Sequence, residues 1–216
     1  MKGIFVSFEG PDGAGKTTQL HLLADYLISK GYDVVTTREP GGTFISDQIR
    51  HIILHPEHKE LKDQTEVLLY AASRAQLVQE KIIPALNEGK IVLCDRYIDA
   101  SIAYQAYGLG IERQTVQLIN LFATSHLWPD RTYLLDIKPE VSKSRLMNRG
   151  VGEFGNGLDR IEQKQLEYHR RVYHGFLTLA DEDPKRILKV EADQAKEGIF
   201  QVIKEDFIKI LKKKEE

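Results

Sequence analysis

Residues 4–17 read Ile4-Phe5-Val6-Ser7-Phe8-Glu9-Gly10-Pro11-Asp12-Gly13-Ala14-Gly15-Lys16-Thr17, and this stretch decides the fold. Its first part is β-branched and aromatic, which predicts a buried strand. Its second part, Gly10 to Thr17, fits the pattern G-x-x-x-x-G-K-[ST]. From ordinary residue frequencies, a chance match in a chain of this size has odds of roughly one in a hundred. Thr18 to Lys30 follows with Leu20, Leu23, Leu27 and Ile28 at helical spacing, so the order is strand, glycine turn, helix. Gly10, Gly13 and Gly15 free the backbone to approach a ligand, with Pro11, Asp12, Ala14 and Thr18 completing the loop and the first helical turn. The amides can then face phosphate oxygens at a positive helix end. Lys16 supplies a mobile cation for the β- and γ-phosphates, and the Thr17 hydroxyl a ligand for Mg²⁺. The chain is expected to bind a nucleoside triphosphate.

Working outward, five strand-like runs recur at Ile4–Phe8, Asp33–Thr37, Ile91–Cys94, Thr132–Leu135 and Ile187–Val190, with helical patterns between them. That alternation predicts an α/β fold of the P-loop NTPase kind, a three-layer arrangement with a five-stranded parallel sheet flanked by helices. In such sheets ligands gather at the carboxyl ends of the strands. Chemistry-capable groups follow four of the five runs: Glu9 to Thr17, Arg38-Glu39, Asp95-Arg96 and Asp136. The 216 residues suit a single kinase-sized domain spanning 1–216. The formal charge of −2 argues against a nucleic-acid partner or a membrane surface, both of which call for surplus Lys and Arg. No apolar stretch is long enough to span a bilayer, and Met1-Lys2-Gly3 leads straight into the first strand, leaving no room for a signal peptide. The single cysteine, Cys94, falls in an apolar run and reads as a buried thiol, which suits a reducing cytoplasm.

Asn148 to Asp159 carries Gly150, Gly152, Gly155 and Gly157, flanked by Arg149 and Arg160. Beside a phosphate loop this predicts a mobile lid over about residues 148–160 that excludes water during transfer. The loop alone leaves three classes open: a guanine-nucleotide switch, a motor or transporter ATPase, and a small-molecule kinase. No Asn-Lys-x-Asp string occurs, and Asp95 is followed by Arg96 rather than a catalytic Glu. An arginine beside the metal-proximal carboxylate, with Arg38 on the neighbouring strand, can hold a second phosphorylated molecule in line for attack.

Five strings in order resemble the thymidylate kinases: Phe8 through Gln19, Thr37-Arg38-Glu39-Pro40-Gly41-Gly42-Thr43, Ala72-Ser73-Arg74-Ala75-Gln76, Asp95-Arg96-Tyr97-Ile98-Asp99-Ala100-Ser101 with Tyr104-Gln105, and Leu158-Asp159-Arg160-Ile161-Glu162. The resemblance covers about the whole chain. It implies transfer of the γ-phosphoryl group of ATP to dTMP with Mg²⁺, in dTTP synthesis, by a homodimer. It also implies roles: Asp12 accepting from the sugar 3′-hydroxyl, Arg38 and Arg96 on the acceptor phosphate, and Asp95 with Glu9 holding the metal or its waters. Tyr70 would stack on thymine and Arg74 donate to its exocyclic oxygen, Ser101 and Gln105 would complete the base pocket, Tyr104 would wall the sugar, and Arg50 is a further candidate. Gly13 stands where some family members carry a P-loop arginine, so Arg149 and Arg160 are expected to supply the catalytic cation from the lid. Tyr70 replaces a usual Phe, and Phe176 stands where a tyrosine is common. The Glu39-Pro40 peptide is expected to be cis. Two rivals remain, a P-loop kinase for another nucleotide or nucleoside, and a nucleotide-dependent binding switch.

Overall fold

A strand that is apolar on alternate and intervening positions alike must be covered on both faces. The computed structural model describes residues 3–148 and 157–215, and in it β1 (Ile4–Glu9) is buried along its whole length. It lies at the centre of an all-parallel sheet ordered β2-β3-β1-β4-β5, with β2 at Val34–Arg38, β3 at Ile91–Asp95, β4 at Arg131–Asp136 and β5 at Ile187–Glu191. Each strand runs one residue beyond the apolar run that predicts it, because the ladder continues into the polar residue at its carboxyl end.

Register is what assembles the site. Phe8 lies opposite Asp95, and Asp95 opposite Arg38, so the residues that follow three adjacent strands emerge side by side. Side chains alternate across the sheet. Ile4, Val6 and Phe8 join Ile91 and Leu93 in a core against α1 (Lys16–Ser29) and α9 (Lys196–Glu215). Phe5, Val92 and Cys94 face the other core, with the helices α2 (Phe44–Leu54), α3 (Asp63–Leu77) and α8 (Leu166–Glu182) contributing to it. In α1, Leu20, Leu23 and Leu27 are buried, each worth about 1.5–3 kcal/mol. Ile28 departs from the expectation and is 57% exposed, because one residue past Leu27 turns the side chain about 100° off the buried stripe. Among the described residues no helix is long and apolar enough to cross a membrane.

Two helices widen into π-helical turns, one of them at the cavity. α3 continues through a π-helical turn, Val78–Ile82, into α4 (Ile83–Asn87), where Pro84 has no amide to return to the preceding turn. The short α5 (Ile98–Ser101) continues as a π-helical segment, Ile102–Gly108, which carries Tyr104 and Gln105. α6 (Arg113–Ala123) and α7 (Pro139–Met147) complete the helical layers. Between α7 and α8, Arg149, Gly150, Gly152 and Gly155 of the expected lid lie outside the described residues. The segment that follows is fastened. Asp159 accepts from the amides of Ile161 and Glu162 at 2.8 Å each, Glu162 accepts from the Asp159 amide at 3.0 Å, and the Arg160 amide donates to the Leu54 carbonyl at 3.0 Å.

Candidate active site

The phosphate loop is shaped by steric necessity at Gly10 and Gly13. Gly10 has φ +129° and a Cβ there would lie 2.6 Å from the Leu135 carbonyl of β4. Gly13 has φ +82°, with the Ser142 carbonyl of α7 only 2.9 Å from a built Cβ. Position 13 is therefore closed to an arginine in this chain. α1 opens at Lys16 with no side-chain cap and no acidic residue in its first turn. Its first amides lack intrahelical partners, and the helix end is positive. The Lys16 ammonium is buried and donates to the Pro11 carbonyl at 2.8 Å. Burial pushes its pKa down, as does neighbouring Arg96, while Asp12, Asp95 and Glu9 push it back up. The Thr17 hydroxyl donates to an Asp95 carboxylate oxygen across from β3.

Arg96 leaves β3 in the left-handed region, φ 72°, which turns its side chain back over the loop. Its guanidinium donates to the Gly10 carbonyl at 3.0 Å, to Asp12 Oδ1 at 2.6 Å and to the Tyr104 hydroxyl at 3.1 Å. It also lies over the Tyr104 ring, 4.9 Å from the centroid. The Tyr104 hydroxyl donates to Asp12 Oδ2 at 3.0 Å. Burial works against a charge on Asp12, but Arg96 and Lys16 outweigh it and hold the carboxyl well below the usual range. Glu9 is the opposite case. Burial, with Asp99 nearby, pushes it up to about 8, although the Tyr97 amide donates to its Oε1 at 2.7 Å. Its Oε2 has no partner among the described residues.

Beyond β2 the chain turns through Glu39-Pro40, whose peptide bond is cis, and α2 starts on its Thr43 cap. Arg38 pairs with Asp47 at 3.2 Å with both side chains about half exposed, a contact of at most about 1 kcal/mol that a phosphate can readily replace. Arg50 donates to the Pro40 carbonyl at 2.9 Å. At the far end of the cavity Arg74 is almost fully buried and spends its whole fork on the protein. It donates to Glu39 Oε2 at 2.6 Å, to the Ser101 hydroxyl at 2.8 Å, to the Tyr97 carbonyl at 3.2 Å and to Asn120. Burial pushes Glu39 up to about 6 against the pull of Arg74. Tyr70 is half-buried on the same helix face as Arg74, and burial raises its hydroxyl pKa.

These groups border one cavity of about 690 Å³, within the size range of small-molecule sites. It is lined by Asp12, Gly13, Gly15, Lys16, Thr17 and Thr18 at one end, by Arg38, Arg50, Asp95, Arg96 and Tyr104 in the middle, and by Tyr70, Arg74, Ser101 and Gln105 at the other. Glu9, Gly10, Pro11 and Ala14 lie behind that lining rather than on it. Arg149 falls outside the described residues. Arg160 is not brought to the phosphate loop. Its Nη2 donates to buried Glu66 at 2.6 Å and its Nε to the Ile53 carbonyl at 2.7 Å, which turns it away from the cavity and under α2 and α3. Sequence reasoning gave no role to Glu39, Arg145, Asp159 or Glu162, which also line the cavity. Glu39, Asp159 and Glu162 stand in the quoted strings, and Glu39 also follows a strand, but Arg145 carried no signal at all.

The sequence matches the family described as thymidylate kinase over residues 8–203. A thymidylate kinase of Exiguobacterium sibiricum is 56% identical over 215 residues, covering 100% of this chain and 99% of the relative. One of Geobacillus sp. is 44% identical over 200 residues, 93% of each chain. Among solved structures, the thymidylate kinase of Ehrlichia chaffeensis superposes with a TM-score of 0.74 at 33% identity, covering 94% of this chain and 98% of that one. A triphosphate loop facing an arginine-lined acceptor cavity, on a sequence matched nearly end to end, leaves one conclusion about kinship: the chain belongs to the thymidylate kinase family.

Proposed function

We propose that the chain phosphorylates dTMP to dTDP at the expense of ATP, in dTTP synthesis. The observation that carries this is Arg96, which spans from the Gly10 carbonyl to Asp12 and Tyr104 on the wall of a cavity of about 690 Å³ that also reaches Lys16, Tyr70 and Arg74. An acceptor phosphate oxygen attacks the γ-phosphorus while the bond to the β,γ-bridging oxygen breaks, and ADP leaves. That oxygen is already anionic at neutral pH, so no general base is required. The work of the protein is alignment and charge neutralisation. Lys16 and the loop amides of Gly13, Ala14, Gly15 and Thr18, on a turn shaped by Gly10 and Pro11, take the donor phosphates; Arg38 and Arg96, with Arg50 nearby, take the acceptor phosphate. Asp12 accepts from the sugar 3′-hydroxyl, and Tyr104 crowds the 2′ position. Tyr70 stacks on the base while Arg74 and Ser101 shape its edge.

Mg²⁺ suits the all-oxygen pair of Thr17 and Asp95, and when bound it neutralises charge on the donor phosphates. No cluster of three or more His, Cys, Asp or Glu able to hold a metal occurs among the described residues, which fits an ion held mainly by phosphates and water. Glu9, behind the loop, would act on the metal's waters. Of the two lid arginines we assign Arg149 to the transferring group, since Arg160 is engaged by Glu66. We also read the protein as a cytoplasmic homodimer joined through α2, α3 and α6.

Steady-state kinetics with ATP and a panel of monophosphates tests the acceptor assignment, with dTMP expected to give the highest kcat/KM. Faster turnover of dUMP, dGMP or thymidine would overturn it. ATP hydrolysis indifferent to dTMP would favour a binding switch instead.

A further inference from the structure

Gln105 lines the base end of the cavity and is 1% exposed. A carboxamide can present either an acceptor or a donor, so which end faces a ligand depends on what fixes the other end. Here Gln105 Nε2 donates to Glu66 Oε1 at 3.2 Å, while Gln105 Oε1 has no partner among the described residues. Glu66 is itself completely buried and ion-paired through Oε2 to Arg160 at 2.6 Å. Arg160 is fixed in turn by the carbonyls of Ile53 and Leu54, at 2.7 Å from its side chain and 3.0 Å from its amide. A carboxylate held by a guanidinium can only accept. Reversing the Gln105 amide would set oxygen against oxygen in a buried place, so the free end of Gln105 is an acceptor in need of a donor.

We propose that Glu66 and Arg160 are positioning residues that lock the Gln105 amide with its oxygen available to the base, and thereby select a pyrimidine bearing a hydrogen on N3. Thymine and uracil carry that hydrogen. Cytosine presents a lone pair there and meets an acceptor head-on. The lock acts on recognition, remote from the phosphates, and it rests on the reading of the cavity as a dTMP site. It also explains why Arg160 is turned from the phosphate loop: the side chain serves the base end.

The test is kcat/KM for dTMP, dUMP and dCMP in Glu66→Gln and in the double variant Glu66→Gln/Arg160→Gln, which leaves no buried charge unpaired. The carboxamide introduced by Glu66→Gln can donate to Gln105 and release the lock. The dTMP-to-dCMP ratio is expected to fall about tenfold or more, through KM, with KM for ATP unmoved. The dTMP-to-dUMP ratio should hold, since both bases carry the N3 hydrogen and the methyl contact is untouched. Arg160→Lys, which keeps a cation beside Glu66, should retain the discrimination. A dTMP-to-dCMP ratio unchanged in either folded variant would overturn the proposal, as would a parallel fall in both ratios, which signals general loosening. Failure of the wild-type protein to phosphorylate dTMP would count against the dTMP reading and not against the lock.

Discussion

Asp159 shows how one carboxyl can serve the site and tax the fold. Burial, reinforced by the charges of Asp12 and Glu162, raises its pKa from 3.8 to about 7. A raised folded-state value means the native protein holds that proton more tightly than the unfolded chain does. The associated stability is complete below pH 3.8 and lost as pH rises through 7. Each tenfold gain in proton affinity is worth about 1.4 kcal/mol, so the whole effect is a few kcal/mol at most. Asp159→Asn keeps an oxygen to accept the two amides without the charge. Its Tm should exceed that of the wild type by several degrees at pH 8 and match it near pH 4; scanning calorimetry at both values checks this, and a pH-independent difference would exclude it. Partnerships of this kind are where the sequence is least legible. Asp12, Arg38 and Arg96 were readable as candidates because each follows a strand, whereas Tyr104 and Gln105 entered through the resemblance alone. The partners of Arg74 and Arg160 were not. They are Glu39 and Glu66, 35 and 94 residues distant in sequence, and no local pattern announces such a pairing.

At the scale of elements, the strands and their order of chemistry were legible because periodicity and the glycine turn are local signals. The widened turns were not, since a π-helical segment such as Ile102–Gly108 is only seven residues long, too short to set up a readable period of its own. The connection between α7 and α8 carries the remaining catalytic expectation. With position 13 closed to a side chain and Arg160 tied to Glu66, we propose Arg149 as the source of the extra cation for the transferring phosphoryl group. Arg149→Ala should lower kcat by roughly a thousandfold, with the Kd for dTMP little changed. Equal losses in turnover and affinity, measured by steady-state kinetics and calorimetric titration, would remove Arg149 from that role.

At the scale of the molecule, α2 and α6 each pack against α3, and this side carries Phe44 at 77% exposure, Leu68 at 57%, Leu118 at 60% and Phe122 at 88%. Leu118 and Phe122 are one turn apart on α6, so their side chains are neighbours. Exposed apolar side chains at this spacing suit a partner surface, which a second copy of the chain would cover. Sedimentation should find a dimer at micromolar concentration, and Phe122→Glu should shift it toward monomer. A wild-type protein that sediments as a monomer would refute the assignment.

Cys94 sits at the other extreme of accessibility, in a strand one place from the sheet's centre. It is completely buried and its thiol donates to the Arg96 carbonyl at 3.0 Å. Burial pushes the thiol pKa well up, so almost no thiolate forms in the native state. The chain's only sulfhydryl is therefore a clock for the opening of β3: alkylating reagents can capture it only when the sheet itself parts, and anything that clamps the Arg96 turn slows that clock.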